Sequence, residues 1–267
     1  MGKLALSATV VFFALTILAL FYGRPIIDSD GVTYYATTLS VLRDHDFDLV
    51  NQKESFRKVQ MIPDEETQKP VALYSGGFAL LYAPFLWSAE KLGAWVRAFG
   101  EWRPYRQNAK FQFPHGFGIF LGSILYSFAG VMAGSVLLLR RYGTSTKAGV
   151  LIPLAVLAGT PLLFYTVTGP SFAHASDTFL TAVLFCLTLL RNPLEVGGLR
   201  LRNLLFGFLA AVSIFLRNNN VALVGPLALS VLILERSRGG RRLTATILEF
   251  LAGASPILAL HAYYNWA

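Results

Sequence analysis

Cysteine is almost absent: the 267-residue chain has one, Cys186, inside an apolar run. No intrachain disulfide can form, and no Cys/His spacing resembles a metal site, so Cys186 reads as a small packed hydrophobe. Charge is scarce as well. Asp, Glu, Lys and Arg make up 14% of residues, against 54% hydrophobic residues and a mean hydropathy of +0.53. An ordinary soluble domain carries about 25% charged residues. Also missing are a Gly-rich phosphate loop, a Walker pattern, H-E-x-x-H and a nucleophile elbow, which excludes the enzyme classes those motifs define. No internal repeat, low-complexity tract or soluble nucleotide-binding domain is read in the chain.

The charge that is present is segregated. Leu4–Tyr22, Phe111–Leu139, Ala148–Val167, Ser171–Leu190, Leu204–Leu216, Val221–Leu234 and Leu243–Trp266 carry almost none. Most of these runs are long enough to cross about 30 Å of hydrocarbon as helices. They are continuously apolar rather than alternating, which argues against a barrel. The expected fold class is therefore an all-α membrane protein with about seven transmembrane helices, residues 1–267 forming a single membrane domain with no soluble C-terminal domain. Within it, 4–22 is the first span, 23–112 an extracytoplasmic loop and 113–266 the remaining spans. Lys3 precedes an apolar run longer than a signal-peptide core, and no A-x-A-like site follows, so the first span is expected to stay uncleaved.

Net charge is +8. Segment 24–110 has as many acids as bases, so the excess lies in short loops: Lys3; Arg140, Arg141 and Lys147; Arg191, Arg200 and Arg202; Arg236, Arg238, Arg241 and Arg242. With 4–22 spanning outward and the second span at 113–139, all of them fall on the cytoplasmic side, as the positive-inside rule requires. The basic pI thus marks membrane loops, and no nucleic-acid partner is implied. The predicted location is the cytoplasmic (inner) membrane, N-terminus inside. The 76–99 segment has Phe78, Leu81, Phe85, Leu92, Trp95 and Phe99 at roughly helical spacing and reads as an interfacial amphipathic helix. Val32, Tyr35, Leu39 and Leu42 mark a shorter one. Asn203–Leu216 and Val221–Leu234 form a hairpin around Arg217-Asn218-Asn219-Asn220, and Pro153, Pro161, Pro226 and Pro256 fall within spans.

This topology puts most of the unusual polar residues on one membrane face: Asp28, Asp30, His115, His174, Asp177, Arg217 and His261. Asp28-Ser29-Asp30-Gly31 can cap a following helix or supply a general base, while a metal site finds no further ligand at matching spacing. His174 and Asp177 share a helix face, as a structural pair or as a substrate contact. Arg217, between two apolar runs, calls for an anionic partner, an Asp or a lipid phosphate, unless it merely snorkels. Glu249 is expected to pair with a basic loop. His115 and His261 read as interface residues.

Several stretches in order resemble the C-type membrane glycosyltransferases, specifically the family 39-like group of protein mannosyltransferases and aminoarabinose transferases. They are Asp28-Ser29-Asp30-Gly31-Val32-Thr33-Tyr34-Tyr35; Leu42-Arg43-Asp44-His45-Asp46-Phe47-Asp48; Tyr74-Ser75-Gly76-Gly77 running on to Pro84-Phe85; Pro170-Ser171-Phe172-Ala173-His174-Ala175; and Leu216-Arg217-Asn218-Asn219-Asn220. The family's lysine position is occupied by Leu73 and the proline after the tyrosine by Ser75, and the chain is short for the group. The resemblance implies an inverting transfer of a sugar from a polyprenyl-phosphate donor to a lipid, glycan or protein acceptor at the extracytoplasmic face. Asp30 would be the general base, with Asp28 second. Arg217, His174, Tyr74, Tyr34 and Lys69 would bind substrate. No cofactor is implied with certainty, and a divalent metal is left open. The alternatives are a non-catalytic or truncated chain that binds lipid-linked sugar, or a lipid or solute transporter.

Overall fold

The computed structural model describes residues 2–50, 52, 61–63, 70–72, 76–93, 113–142, 146–189, 195–196 and 199–266. Tyr74 and Lys69, two expected substrate-binding residues, lie outside them, as do Trp95 and Phe99. The described chain is nearly all helical, because continuously apolar segments satisfy their backbone polar groups internally as helices. The helices are α1 (Gly2–Tyr22), α2 (Asp30–Leu39), α3 (Gly77–Lys91), α4 (Phe113–Tyr142), α5 (Thr146–Gly159), α6 (Leu162–Val167), α7 (His174–Leu189), α8 (Leu201–Leu216), α9 (Val221–Arg236) and α10 (Gly240–Trp266). Two short antiparallel strand pairs complete it: β1 (Met61–Pro63) with β2 (Pro70–Ala72), and β3 (Glu195–Val196) with β4 (Leu199–Arg200).

Among the described residues, three stretches are long and apolar enough to cross a membrane: Pro114–Leu138, Asn218–Arg236 and Gly240–Tyr264. Ala8–Ala19, His174–Leu189 and Leu201–Leu216 are apolar but shorter. The apolar run 148–167, expected as one span, is broken into α5 and α6. Pro161 has no N–H to continue the ladder and disfavours helical geometry at Thr160, while Gly159 adds backbone freedom at the helix end. Pro153, Pro226 and Pro256 remain inside helices.

The chain divides into two compact units, Met1–Phe179 and Leu180–Ala267. In the first, Val11 and Leu15 of α1 pack with Val131 and Met132 of α4, Leu157 of α5 and Leu162 of α6. The expected helix at Val32–Leu42 is present as α2, but it is not an amphipathic surface element: Gly31 to Leu39 are all buried. Thr37 and Thr38 are buried without loss because their hydroxyls donate to the carbonyls of Thr33 and Tyr34 at 3.0 and 2.7 Å. A five-residue π-helical turn, Ser40–Asp44, continues it and closes on His45 in a left-handed conformation. The amphipathic helix expected in 76–99 is α3; its buried stripe is Phe78, Tyr82, Leu86 and Ala89, while Leu81 and Phe85 are half-buried. Leu92 is exposed. The stripe turns on Tyr82, whose hydroxyl finds a buried partner in α4.

In the second unit, α8, a single 3-10 turn at Asn218–Asn220, and α9 form the expected hairpin. Helices α8 and α10 meet backbone to backbone. A β-carbon at Gly207 would lie 2.1 Å from the Phe250 carbonyl oxygen, and one at Gly253 2.0 Å from that of Leu204. Small residues at such crossings let apolar helices gain van der Waals contact where lipid offers no hydrophobic drive.

Candidate functional site

The acidic segment after α1 is held by backbone contacts. The Arg24 N–H donates to the Val167 carbonyl at 2.9 Å, tying the end of α1 to the end of α6. Ser29 adopts φ 52° and ψ −131°, a conformation rarely taken by an L-residue and held only where the surroundings fix it. Its side chain makes no capping bond to α2, so the capping role expected of this segment is not performed by the Ser29 hydroxyl. Asp30 is the first residue of α2, where the helix dipole favours a negative charge. The Asp28 carboxylate accepts from the Ser29 N–H at 2.8 Å.

Gly31 fixes what this segment sits against. A β-carbon there would be 2.1 Å from Ser171 Oγ and 2.4 Å from Ser171 Cβ, so only glycine fits. The Asp28 N–H also points to Ser171 Oγ, at 3.4 Å. Ser171 is buried in the turn that opens α7. The structure therefore brings Asp28–Gly31 and the 170–175 segment together, although 140 residues separate them in sequence. His174, the first residue of α7, stacks on Tyr165 with ring centroids 3.9 Å apart. Asp177 lies one turn further on. Tyr34 is buried and stacked on Phe78 at 4.8 Å, and Phe78 on Tyr82 at 3.9 Å. It thus joins α2 to α3.

Two polar chains brace this region. The Tyr82 and Ser123 hydroxyls lie 3.0 Å apart, and Ser123 donates to the Pro170 carbonyl at 2.7 Å, so Tyr82 donates to Ser123. Burial raises the Tyr82 hydroxyl well above the ordinary tyrosine range, which keeps it a donor. The second chain runs through His115, an interface residue by sequence. His115 is fully buried: Nε2 is 2.8 Å from Glu90 Oε1, and Nδ1 is 2.5 Å from the Tyr35 hydroxyl. A carboxylate only accepts, so in the neutral ring Nε2 carries the proton and Nδ1 accepts from Tyr35. Burial raises Tyr35 far above its ordinary range, keeping that proton in place. Glu90 also accepts from Arg43 at 2.7 Å. Burial pushes the Glu90 carboxyl up, but the hydrogen bonds and charges of Arg43 and His115 outweigh it and hold it below the usual range. Nothing in the spacing of Tyr35, Glu90 and His115 announces this hub. The only signal was an ionisable residue at the start of an apolar run.

The second unit holds Arg217 at the C-terminal end of α8, half-buried, its carbonyl accepting from the Asn220 N–H at 2.9 Å. The Asn220 side chain returns to the Ser213 carbonyl at 2.9 Å, locking the turn. His261 lies edge-on to Phe215 at 5.0 Å and lines an apolar cavity of ≈ 200 Å³ with Phe206, Ala210, Phe250 and Ile257. At the opposite end of α8 lies a buried charge network. Arg200 Nε donates to both Glu249 oxygens at 3.3 and 3.0 Å, Nη1 to Glu235 at 2.9 Å, and Nη2 to Thr246 at 2.7 Å. Asn203 donates to Glu249 at 2.7 Å, and Arg238 to Glu235 at 2.8 Å. The expected pairing of Glu249 with a basic loop is present. Arg200 and Arg202, counted by sequence among the short-loop charges, are buried and paired. Burial this deep is tolerated because each guanidinium finds acceptors along its edge.

Among the described residues no cluster of three or more His, Cys, Asp or Glu could hold a metal ion. The fold and the apolar helices define the class: an all-α membrane protein. No protein-family model, no curated protein and no solved structure matches the chain.

Proposed function

We propose that this chain is a polyprenyl-phosphate-sugar-dependent glycosyltransferase of the C type. In this reading about seven apolar segments cross the cytoplasmic membrane, with the N-terminus inside and the 23–112 segment outside. Asp30 takes the proton from an acceptor hydroxyl whose oxygen attacks the anomeric carbon. The bond from that carbon to the phosphate oxygen breaks, the configuration inverts, and polyprenyl phosphate leaves with the electron pair. Asp28 is the second candidate base. Arg217 holds the phosphate. His174, and with it Tyr34, Tyr74 and Lys69, form the donor site.

The observation that carries this reading is the seat of Gly31 on Ser171. Two segments that the resemblance assigns to one site, the acidic motif and the 170–175 motif, meet inside one compact unit. The strained backbone at Ser29, next to the proposed base, supports it further.

The test is donor turnover by the purified chain in lipid, using a panel of polyprenyl-phosphate sugars and hydroxyl acceptors. Acceptor-dependent release of polyprenyl phosphate is expected, falling by about 10²–10⁴-fold in Asp30→Asn. Turnover unchanged in Asp30→Asn removes Asp30 as base. Donor binding without turnover in the folded native chain makes it a binding protein instead, and sugar-lipid transport across vesicles without transfer makes it a transporter.

A further inference from the structure

The end of the second unit that carries the buried network also carries charge that the network does not absorb. Arg200, Arg202, Arg236, Arg238, Arg241 and Arg242 gather there, and Glu235 and Glu249 are the acids the network binds. Both glutamates are buried and already bonded by Arg200, Arg202, Arg238 and Asn203. Arg236, Arg241 and Arg242 are exposed, and among the described residues none of the three makes an ion pair. Arg241 and Arg242 also stand in the first turn of α10, against the helix dipole, with no acid in that turn to offset them.

The depth of this patch follows from its neighbours. It flanks the short Ser237–Gly239 turn joining α9 to α10, whose stretches Asn218–Arg236 and Gly240–Tyr264 are both long and apolar enough to span. A turn that short between two spans lies where hydrocarbon gives way to headgroups, the layer that holds lipid phosphates. Gly239, at φ 125°, makes the reversal possible there.

We infer that Arg236, Arg241 and Arg242 form a binding site for the phosphate of an anionic phospholipid at the α9–α10 turn. The buried network acts as its base. By tying Glu235 and Glu249 to Arg200 and Arg202, it keeps the carboxylates from neutralising the outer arginines. An anionic headgroup brings the opposing charge, and its acyl chains lie along the apolar surfaces of α9 and α10, where Leu229, Ile233, Leu248 and Leu251 are exposed. This site does not depend on the transferase reading, and its failure or success leaves that reading untouched.

The experiment reconstitutes the full chain in vesicles of three parts phosphatidylcholine to one part phosphatidylglycerol. The protein is then extracted in mild detergent, and the ratio of the two lipids that stay bound is measured. Native protein is expected to retain phosphatidylglycerol several-fold above its bulk share. Each arginine near the surface contributes roughly fivefold in affinity, so the triple variant Arg236→Gln/Arg241→Gln/Arg242→Gln should return the ratio close to bulk. Far-ultraviolet circular dichroism checks that the variant folds. If it does not, the single variants must each lower the enrichment stepwise. Enrichment at the bulk ratio in native protein, or unchanged in the folded triple variant, overturns the site. A separate arm adds inorganic phosphate and, at matched ionic strength, chloride. Equal weakening by both is expected for a lipid site, since screening is their shared effect. Specific displacement by low-millimolar phosphate would make free phosphate the ligand and overturn the lipid assignment.

Discussion

The two units bury polar groups in different ways. In the two chains that brace its candidate site, the first links buried neutral groups one to the next: Tyr82 to Ser123 to the Pro170 carbonyl, and Tyr35 to His115. Its one carboxylate in that chain, Glu90, stays at the exposed margin. The second buries full charges collectively, with Arg200 and Arg202 facing Glu235 and Glu249 and every guanidinium nitrogen of Arg200 engaged. Neutral links can be lost one at a time, because each unmade bond costs only the desolvation of one group. A buried ionic network stands or falls as a set, since removing one member strands another's charge. The first arrangement suits a region that must hold a backbone segment in an uncommon shape. The second suits a rigid end that presents charge outward.

Removing Glu249 should therefore have the largest effect on stability. Glu249→Ala leaves Arg200 without its bidentate partner and Asn203 without its acceptor, and a loss of ~3–5 kcal/mol is expected. The measurement is the thermal midpoint of the protein in lipid or detergent. Arg200→Met/Glu249→Met, which removes both charges and keeps volume, should recover much of the loss, because the desolvation cost leaves with the pair. If the double variant is as unstable as the single, the network acts through shape and the contrast between the units fails.

A smaller but more local loss is expected in the first unit. Gly31→Ala places a methyl group inside the Ser171 side chain, and overpacking of this kind costs about 1–3 kcal/mol. Ser171→Gly removes both atoms that clash, so the double variant should be less destabilised than the two singles combined. A double-variant loss equal to that sum would mean that the two residues do not meet. Tyr82→Phe, which removes one neutral link, should cost ~1 kcal/mol, well below Glu249→Ala.

The sequence made the helices legible because a lipid environment leaves continuous apolar runs little else to become. The hairpin turn at Arg217–Asn220 and the two loop helices were readable for the same reason, from the interruption or periodicity of apolar residues. Pairing was far less visible. Glu249 could be matched with a basic loop because a carboxylate two turns inside a helix demands a partner. Arg200 and Arg202, by contrast, were counted simply as loop charges, since a tally of lysines and arginines carries no information on which are buried against acids. Periodicity marked a helix in 76–99 but not the side it turns to the protein, because Leu81 and Phe85 are as apolar as Leu86, and only the position of α4 decides between them. The break at Pro161 was written in Gly159-Thr160-Pro161, but proline is common enough inside membrane helices that the run read as continuous. Of the candidate site, the meeting of Asp28–Gly31 with Ser171 depends on a contact across more than 140 residues, and no local pattern encodes it.

The weakest effect isolates the one carboxylate of the first unit's polar chain. The carboxyl of Glu90 is held below its ordinary range by Arg43 at 2.7 Å and His115 at 2.8 Å, against the opposing pull of burial. Unfolded, it titrates near the ordinary value of about 4.3. A carboxyl whose folded value is depressed contributes stability that is complete above the unfolded value and disappears as pH falls through the folded one. Native protein should therefore melt above Glu90→Gln at pH 6, with the gap narrowing steadily below about pH 4 as the native carboxyl takes up its proton. Because Glu90 is about one-third exposed, screening should keep the gap under about 1 kcal/mol. A gap that stays constant to pH 3 would show that Glu90 acts by packing alone and that the first unit buries no charge-dependent link. A gap as large as that of Glu249→Ala would show the opposite, that both units depend on collective charge.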